Sequence, residues 1–257
     1  MALALKHRVS LLCRRSYARF SSAGATPPPS VGLVELRTYT LHPGGFAKWM
    51  ELTEEAAELR NASLPAFRAM FTCESGGVLN RVTHLYVYSS WAERVAARSA
   101  LLDNAAWTNY VTSVRPFVQT QESELLLESS DVHKATGIPP AASFASTSGP
   151  SLYELRSYQL ELGYNPVPAL RKAFVVGVPA KQAALAEGRL VLVAASEVGV
   201  LNRVYELWRF RDMESCLAAR QAARTVPEWN ACIGSIAPSV QSFQTQLLVP
   251  TSFSPWR

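Results

Sequence analysis

The chain has 257 residues, of which 48% are hydrophobic and 18% charged, with a formal net charge of +5. This balance excludes a disordered chain and allows one large core or two domains of roughly 100 to 120 residues each. No stretch approaches the roughly 18 to 20 consecutive apolar residues of a membrane-spanning helix.

In chain order, the first feature is the source of the positive charge. Lys6, Arg8, Arg14, Arg15 and Arg19 precede the first carboxylate, Glu35, so 20 of the 25 basic residues remain to balance 20 acidic ones. The rest of the chain is neutral, which argues against a nucleic-acid binder. Residues 1–31 are basic, hydroxyl-bearing and acid-free, the composition of a mitochondrial transit peptide. Lys6, Arg8 and Arg14 interrupt the apolar run that a secretory signal needs. Arginines three before Ala18 and one before Phe20 point to cleavage after Tyr17 or Phe20, and to a mitochondrial protein, in the matrix by its leader, with the outer surface or cytosol as further locations.

Two copies of one unit follow. LVELRTYTL (33–41) matches LYELRSYQL (152–160), and GVLNRV occurs at both 77–82 and 199–204. Trp107 and Pro116 match Trp229 and Pro238, and QTQ at 119–121 is paired with QTQ at 244–246. A unit of about 100 residues is too long for a solenoid, so this is a duplicated domain. The first copy spans 32–128 and the second 151–250. Residues 129–150, rich in Ser, Ala, Pro and Gly, read as a flexible linker, and 251–257 form a C-terminal tail.

Within a copy, alternation marks the opening strand and 3.6-residue spacing in GFAKWMELTEEAAELRNA marks a helix. AFRAMFTCES and NRVTHLYVY read as a hairpin around a Gly turn. Ser89 or Ser90 caps the next helix, and a short Trp107 helix leads into a closing strand. The order βαββαβ is ferredoxin-like. A four-stranded sheet covered by helices on one side leaves a bare face. The expected fold is therefore α+β, with two ferredoxin-like repeats packed sheet to sheet as an intramolecular dimeric α/β barrel. In the second copy, Gly177 and Pro179 predict a kinked or split first helix. The doubled hexapeptide reads as the hairpin corner, with Asn80 and Asn202 closing the turn, Val and Leu entering the core, and Arg81 and Arg203 free for anion or partner contacts.

YELRSY, the twofold LNRV and the terminal LLVPTSFSPWR resemble the shorter branch of the NipSnap family over about residues 32–257. The resemblance implies tandem barrel domains, a mitochondrial leader, no established catalysis, and protein contacts in mitochondrial quality control (mitophagy) or vesicle traffic. The partners it implies are proteins such as autophagy adaptors or trafficking factors, met through the helices or the tail. Homo-oligomerisation is left open.

Alternation places Glu35, Arg37 and Tyr39 on one strand face, repeated by Glu154, Arg156 and Tyr158. Aliphatic residues suit the helix-covered side, so the polar sets are expected inside the barrel. They read either as a structural ion-pair network or as a pocket for an acidic or carbonyl ligand. His84 and its repeat counterpart Glu206 are candidate general bases without an accompanying nucleophile or oxyanion signature. Cys73, Cys216 and Cys232 lack metal-ligand spacing, and no phosphate-binding loop or dinucleotide fingerprint occurs, so no metal or cofactor is expected. Three functions are carried forward: an adaptor or scaffold, a cofactor-independent barrel enzyme of monooxygenase or isomerase type, and a small-ligand-binding module.

Overall fold

The computed structural model describes residues 32–145, 149 and 151–257. The leader and its cleavage positions lie outside the described residues. The first repeat supplies strands β1 (Leu33–Leu41), β2 (Phe67–Ser75), β3 (Arg81–Tyr88) and β4 (Val118–Glu128). The second supplies β5 (Leu152–Leu160), β6 (Arg189–Val198), β7 (Arg203–Phe210) and β8 (Val240–Pro250). All eight close into one antiparallel barrel in the order β1-β3-β2-β8-β5-β7-β6-β4. Each repeat's sheet ends at an edge that needs a partner, and the other repeat provides it. β2 pairs with β8 around Cys73 and Leu248, and β4 pairs with β6 around Leu127 and Ala195. The two repeats are thus joined by backbone hydrogen bonds as well as by the packing of their faces.

The helices lie outside. In the first repeat these are α1 (Phe46–Glu55), α2 (Ala57–Ser63), α3 (Trp91–Ala100) and α4 (Ala105–Val114). Ser90 caps α3 by accepting from the Glu93 amide at 3.1 Å. Between the repeats lies α5 (Ser130–Thr136), and the second repeat has α6 (Pro166–Ala183), α7 (Met213–Arg224) and α8 (Pro227–Ile236).

The expected faces are reversed. Val34, Leu36, Leu85 and Val87 join Phe71, Tyr153, Leu155, Leu207 and, from the tail, Trp256 in one buried cluster drawn from both repeats, the barrel interior. Glu35, Arg37 and Tyr39 point outward under the helices, as do Glu154, Arg156 and Tyr158. The reason is that the apolar half of each strand fills the closed interior, whereas the helices carry arginines that reach back to the polar half.

The break in the first long helix is also in the other repeat. The first copy divides at Ala56 into α1 and α2, while α6 runs unbroken through Gly177 and Pro179. A Cβ on Gly177 would stand 2.4 Å from the Cβ of Cys232, so this glycine lets α6 press against α8. Pro179 removes only one rung of an 18-residue helix.

The segment expected as a flexible linker carries α5, with Val132 and His133 buried. The Val193 amide donates to His133 Nε2 at 3.0 Å, and the Ala141 amide to Glu128 at 2.8 Å. The tail, expected as a contact surface for partners, is bound internally. The Thr251 amide donates to the Met70 carbonyl at 2.9 Å, the Met70 amide to Ser254 Oγ at 2.7 Å, and the Trp256 amide to the Arg68 carbonyl at 2.9 Å. Trp256 is buried edge-on against Phe144 of the connecting segment.

At the hairpin corners, Asn80 bonds the Leu41 carbonyl, and Asn202 adopts a φ of 57° and bonds the Glu161 and Gly163 carbonyls. The neighbouring apolar pair does not enter the core: Leu79 is 66% and Leu201 58% exposed. Gln121 lies opposite Tyr39, and Phe243 lies opposite Tyr158. The closing strands therefore correspond at the same offset as the hairpins, 122, and the two QTQ triplets are not equivalent.

Candidate functional site

The outward polar sets meet the helices at one site per repeat. In the first, Glu35 sits on β1 and is fully buried. Arg94 of α3 grips it with two bonds of 3.2 and 2.9 Å, Arg98 donates at 2.9 Å, Arg37 at 3.0 Å and Ser123 at 2.8 Å. Burial alone would raise this carboxyl's pKa. The hydrogen bond from Arg94 and the charges of Arg98 and Arg37 win and hold it at about 2.

Arg60, on α2, is the second element. It is buried, donates to the Tyr86 hydroxyl at 2.9 Å and to the Tyr110 hydroxyl at 2.8 Å, and lies over the ring of Trp107. Among the described residues no carboxylate pairs with it. Its Nε and that of Arg98 are buried without a hydrogen-bond partner. A cavity of about 220 Å³ opens beside them, lined by Arg37, Arg60, Arg98 and Arg115 together with Tyr39, Tyr86, Trp107 and Tyr110, and by no acidic residue.

The second repeat builds the same frame and fills it differently. The register pairs Arg37 with His84 in the first repeat and Arg156 with Glu206 in the second. Glu206 is buried and accepts from the Tyr158 hydroxyl at 2.8 Å, from Lys181 of α6 at 3.3 Å and from the Trp208 indole. Glu154 accepts from Arg220 of α7 at 2.7 Å and from Thr245 at 2.8 Å. Lys181 is also enclosed by Trp208 and Trp229, at 3.9 and 4.5 Å from the ring centres. Burial pulls its pKa down to about 8 against the opposing charge of Glu206.

Two carboxylates therefore face two arginines and a lysine in the second repeat, while in the first a single carboxylate faces four arginines. The difference traces to two positions: His84 stands where the second repeat has Glu206, and Arg94 where it has Cys216. Burial, then the charges of Arg60, Arg37 and Arg98, push the His84 pKa well below its ordinary value, so the ring is neutral. It packs 4.6 Å from Tyr39, with Nε2 unpartnered, and does not line the cavity. Neither candidate base borders an open cavity, since Glu206 is enclosed by its own partners. Asn80, Arg81, Asn202 and Arg203 sit apart at the hairpins, where Arg203 donates to Gln159 at 3.1 Å. Among the described residues, no group of His, Cys, Asp and Glu is arranged to hold a metal ion.

Arg60, Arg94, Lys181 and the Arg98/Arg220 pair are absent from the sequence-derived set of candidates. A signal for one pair existed: AAR recurs at 96–98 and 218–220 with the repeat offset of 122.

Because the Glu35 pKa falls from 4.5 unfolded to about 2 folded, its contribution to stability is complete above pH 4.5 and is lost as pH falls toward 2. The contribution amounts to roughly 3 kcal/mol. Urea unfolding across that window is expected to show this loss in the wild type and a flatter profile in Glu35→Gln; parallel profiles would contradict the assignment.

The NIPSNAP family model matches residues 34–131 and 153–255, one match per repeat. Mouse Protein NipSnap homolog 3B is 31% identical over 223 residues, covering 86% of this chain and 84% of the relative, and human Protein NipSnap homolog 3A shows the same identity and coverage. The Drosophila melanogaster Protein NipSnap is 22% identical over 86% of this chain and 77% of its own. Among solved structures, a monooxygenase-like protein of Lactobacillus acidophilus superposes with a TM-score of 0.60 at 9% identity, covering 86% of this chain and 94% of that one. At that identity it shares the dimeric α/β barrel fold alone. Both halves of the barrel carry the family signature, and this chain belongs to the NipSnap family.

Proposed function

We propose that this NipSnap protein is a ligand-binding module whose first repeat captures a small multivalent oxyanion between its sheet and its helices. The observation that carries this reading is Arg60, a buried guanidinium without a carboxylate, with its Nε unpartnered beside a cavity that four arginines line. Burying such a charge unpaired costs several kcal/mol, and an anion in the cavity removes that cost. Guanidinium forks match phosphate and carboxylate oxygens two at a time. The cavity falls below the roughly 300 Å³ at which drug-sized sites begin, which suits a small ligand. Enclosure of His84 and Glu206 favours capture over turnover, although the fold is shared with monooxygenase-like proteins.

Calorimetric titration at low salt with inorganic phosphate, malonate and acetate tests this. Saturable binding of phosphate or malonate at one per chain, well ahead of acetate, is expected, weakened tenfold or more in Arg60→Met. The empty variant is expected to melt no lower than wild type, because an unpaired buried charge has been replaced by an apolar side chain of similar length. Absence of binding, or equal binding by the variant, would overturn the reading.

A second reading, an adaptor in mitochondrial quality control or vesicle traffic, is favoured by the exposed Val78, Leu79, Val200 and Leu201, one apolar pair at each hairpin tip. The basic leader supports a mitochondrial address for it. A reporter carrying residues 1–33 should reach mitochondria, and a diffuse cytosolic signal would refute that address. Proximity labelling with the full chain should retrieve autophagy or trafficking proteins and lose them in Leu79→Asp/Leu201→Asp; retrieval of matrix metabolic enzymes alone would count against the adaptor.

A further inference from the structure

The second repeat opens a cavity at the position equivalent to the first repeat's anion site, but with different walls. Its volume is about 450 Å³, within the range of sites that enclose a small organic molecule. Trp229 and Ile233 stand where the first repeat has Trp107 and Val111. At the mouth Phe243 replaces Gln121, and Ala237 replaces Arg115. Two cations remain on the wall, Arg156 and Arg224.

Arg156 is the informative one. It sits on β5 beneath the ring of Phe243, 5.0 Å from the ring centre. Its nearest carboxylates, Glu154 and Glu206, stand 3.8 and 3.9 Å away, beyond hydrogen-bond reach, because each is committed to other donors. Its Nε is buried and unpartnered. A guanidinium held this way has donors left for one more acceptor at the cavity wall, and it is the one side chain lining the cavity that has a buried, unpartnered polar atom. One anionic head is therefore matched here, not two. The apolar wall of Trp229, Ile233, Val240 and Phe243 has no such charge to satisfy and calls for a hydrophobic body.

We infer that this cavity is a second binding site, distinct from the oxyanion site, for a hydrophobic monocarboxylic acid: the carboxylate on Arg156 and the apolar body against Trp229, Ile233 and Phe243. Duplication has given one chain two pockets of common origin, one retuned by arginine for a small polar anion and the other by Phe243 and Ala237 for an amphipathic one. This goes beyond the oxyanion reading and stands or falls without it.

The probe is decanoate, titrated calorimetrically into the full chain, with decan-1-ol as the headless control. Saturable binding at one decanoate per chain is expected, at least tenfold tighter than decan-1-ol, and unaffected by saturating inorganic phosphate. Arg156→Gln should weaken it tenfold or more. Because that substitution also disturbs Glu154 and Glu206, Phe243→Glu is the companion: Phe243 is 46% exposed, so the variant should retain the wild-type melting temperature while its new charge expels the carboxylate. The inference is overturned if decanoate does not saturate, if decan-1-ol binds as tightly, if Phe243→Glu binds like wild type, or if phosphate displaces decanoate. Displacement by phosphate would leave the first site standing and remove the second. Decanoate binding in a protein that ignores phosphate would do the reverse.

Discussion

A charge buried between a sheet and its covering helices has to be met by opposite charge at hydrogen-bond distance, or its desolvation goes uncompensated. In the second repeat Glu206 meets Lys181 and Glu154 meets Arg220, and the tryptophans close over the lysine. In the first repeat the Glu206 position is His84, held neutral by its burial and by the arginines around it. Arg60 is left supported by two tyrosine hydroxyls and aromatic faces. His84 in place of Glu206 and Arg94 in place of Cys216 therefore separate a layer whose two carboxylates are both paired from one with a deficit of negative charge.

Barrel closure makes this arrangement possible. Because β2 pairs with β8 and β4 with β6, the interior is sealed by strands and filled by aliphatic and aromatic side chains. The tail contributes to the seal through Trp256, and the connecting segment through Phe144. With the interior apolar, the polar half of each strand is directed to the helix side, where long arginine side chains can reach it. The two cavities consequently belong one to each repeat, and the duplication leaves them free to diverge. Their mouths have done so, as Gln121 and Phe243 show.

The repeat, the strand alternation, a serine cap at position 89 or 90 and the barrel class were legible in the sequence because each depends on local pattern or on self-similarity. Which strand face turns inward was not. Alternation fixes a period of two but not its sense, and the assumption that aliphatic residues meet helices failed because the sealed interior competes more strongly for them. Gly177 was misread as a breaker for a related reason. Its role is set by the approach of Cys232 from another helix, which no local window contains. Glu35, Arg37, Tyr39, Glu154, Arg156 and Tyr158 were found from their alternation. Arg60 and Lys181 were not, since each lies on a helix whose rotation about the sheet is fixed by packing.

The most direct measurement of the charge account is to place the second repeat's carboxylate in the first, as His84→Glu, and to record phosphate affinity and thermal stability together. A glutamate there would neutralise Arg60 and Arg37 from within. The account predicts that phosphate binding is lost and that the melting temperature of the empty protein rises. Phosphate bound as tightly as by the wild type, or a protein that melts lower, would contradict it.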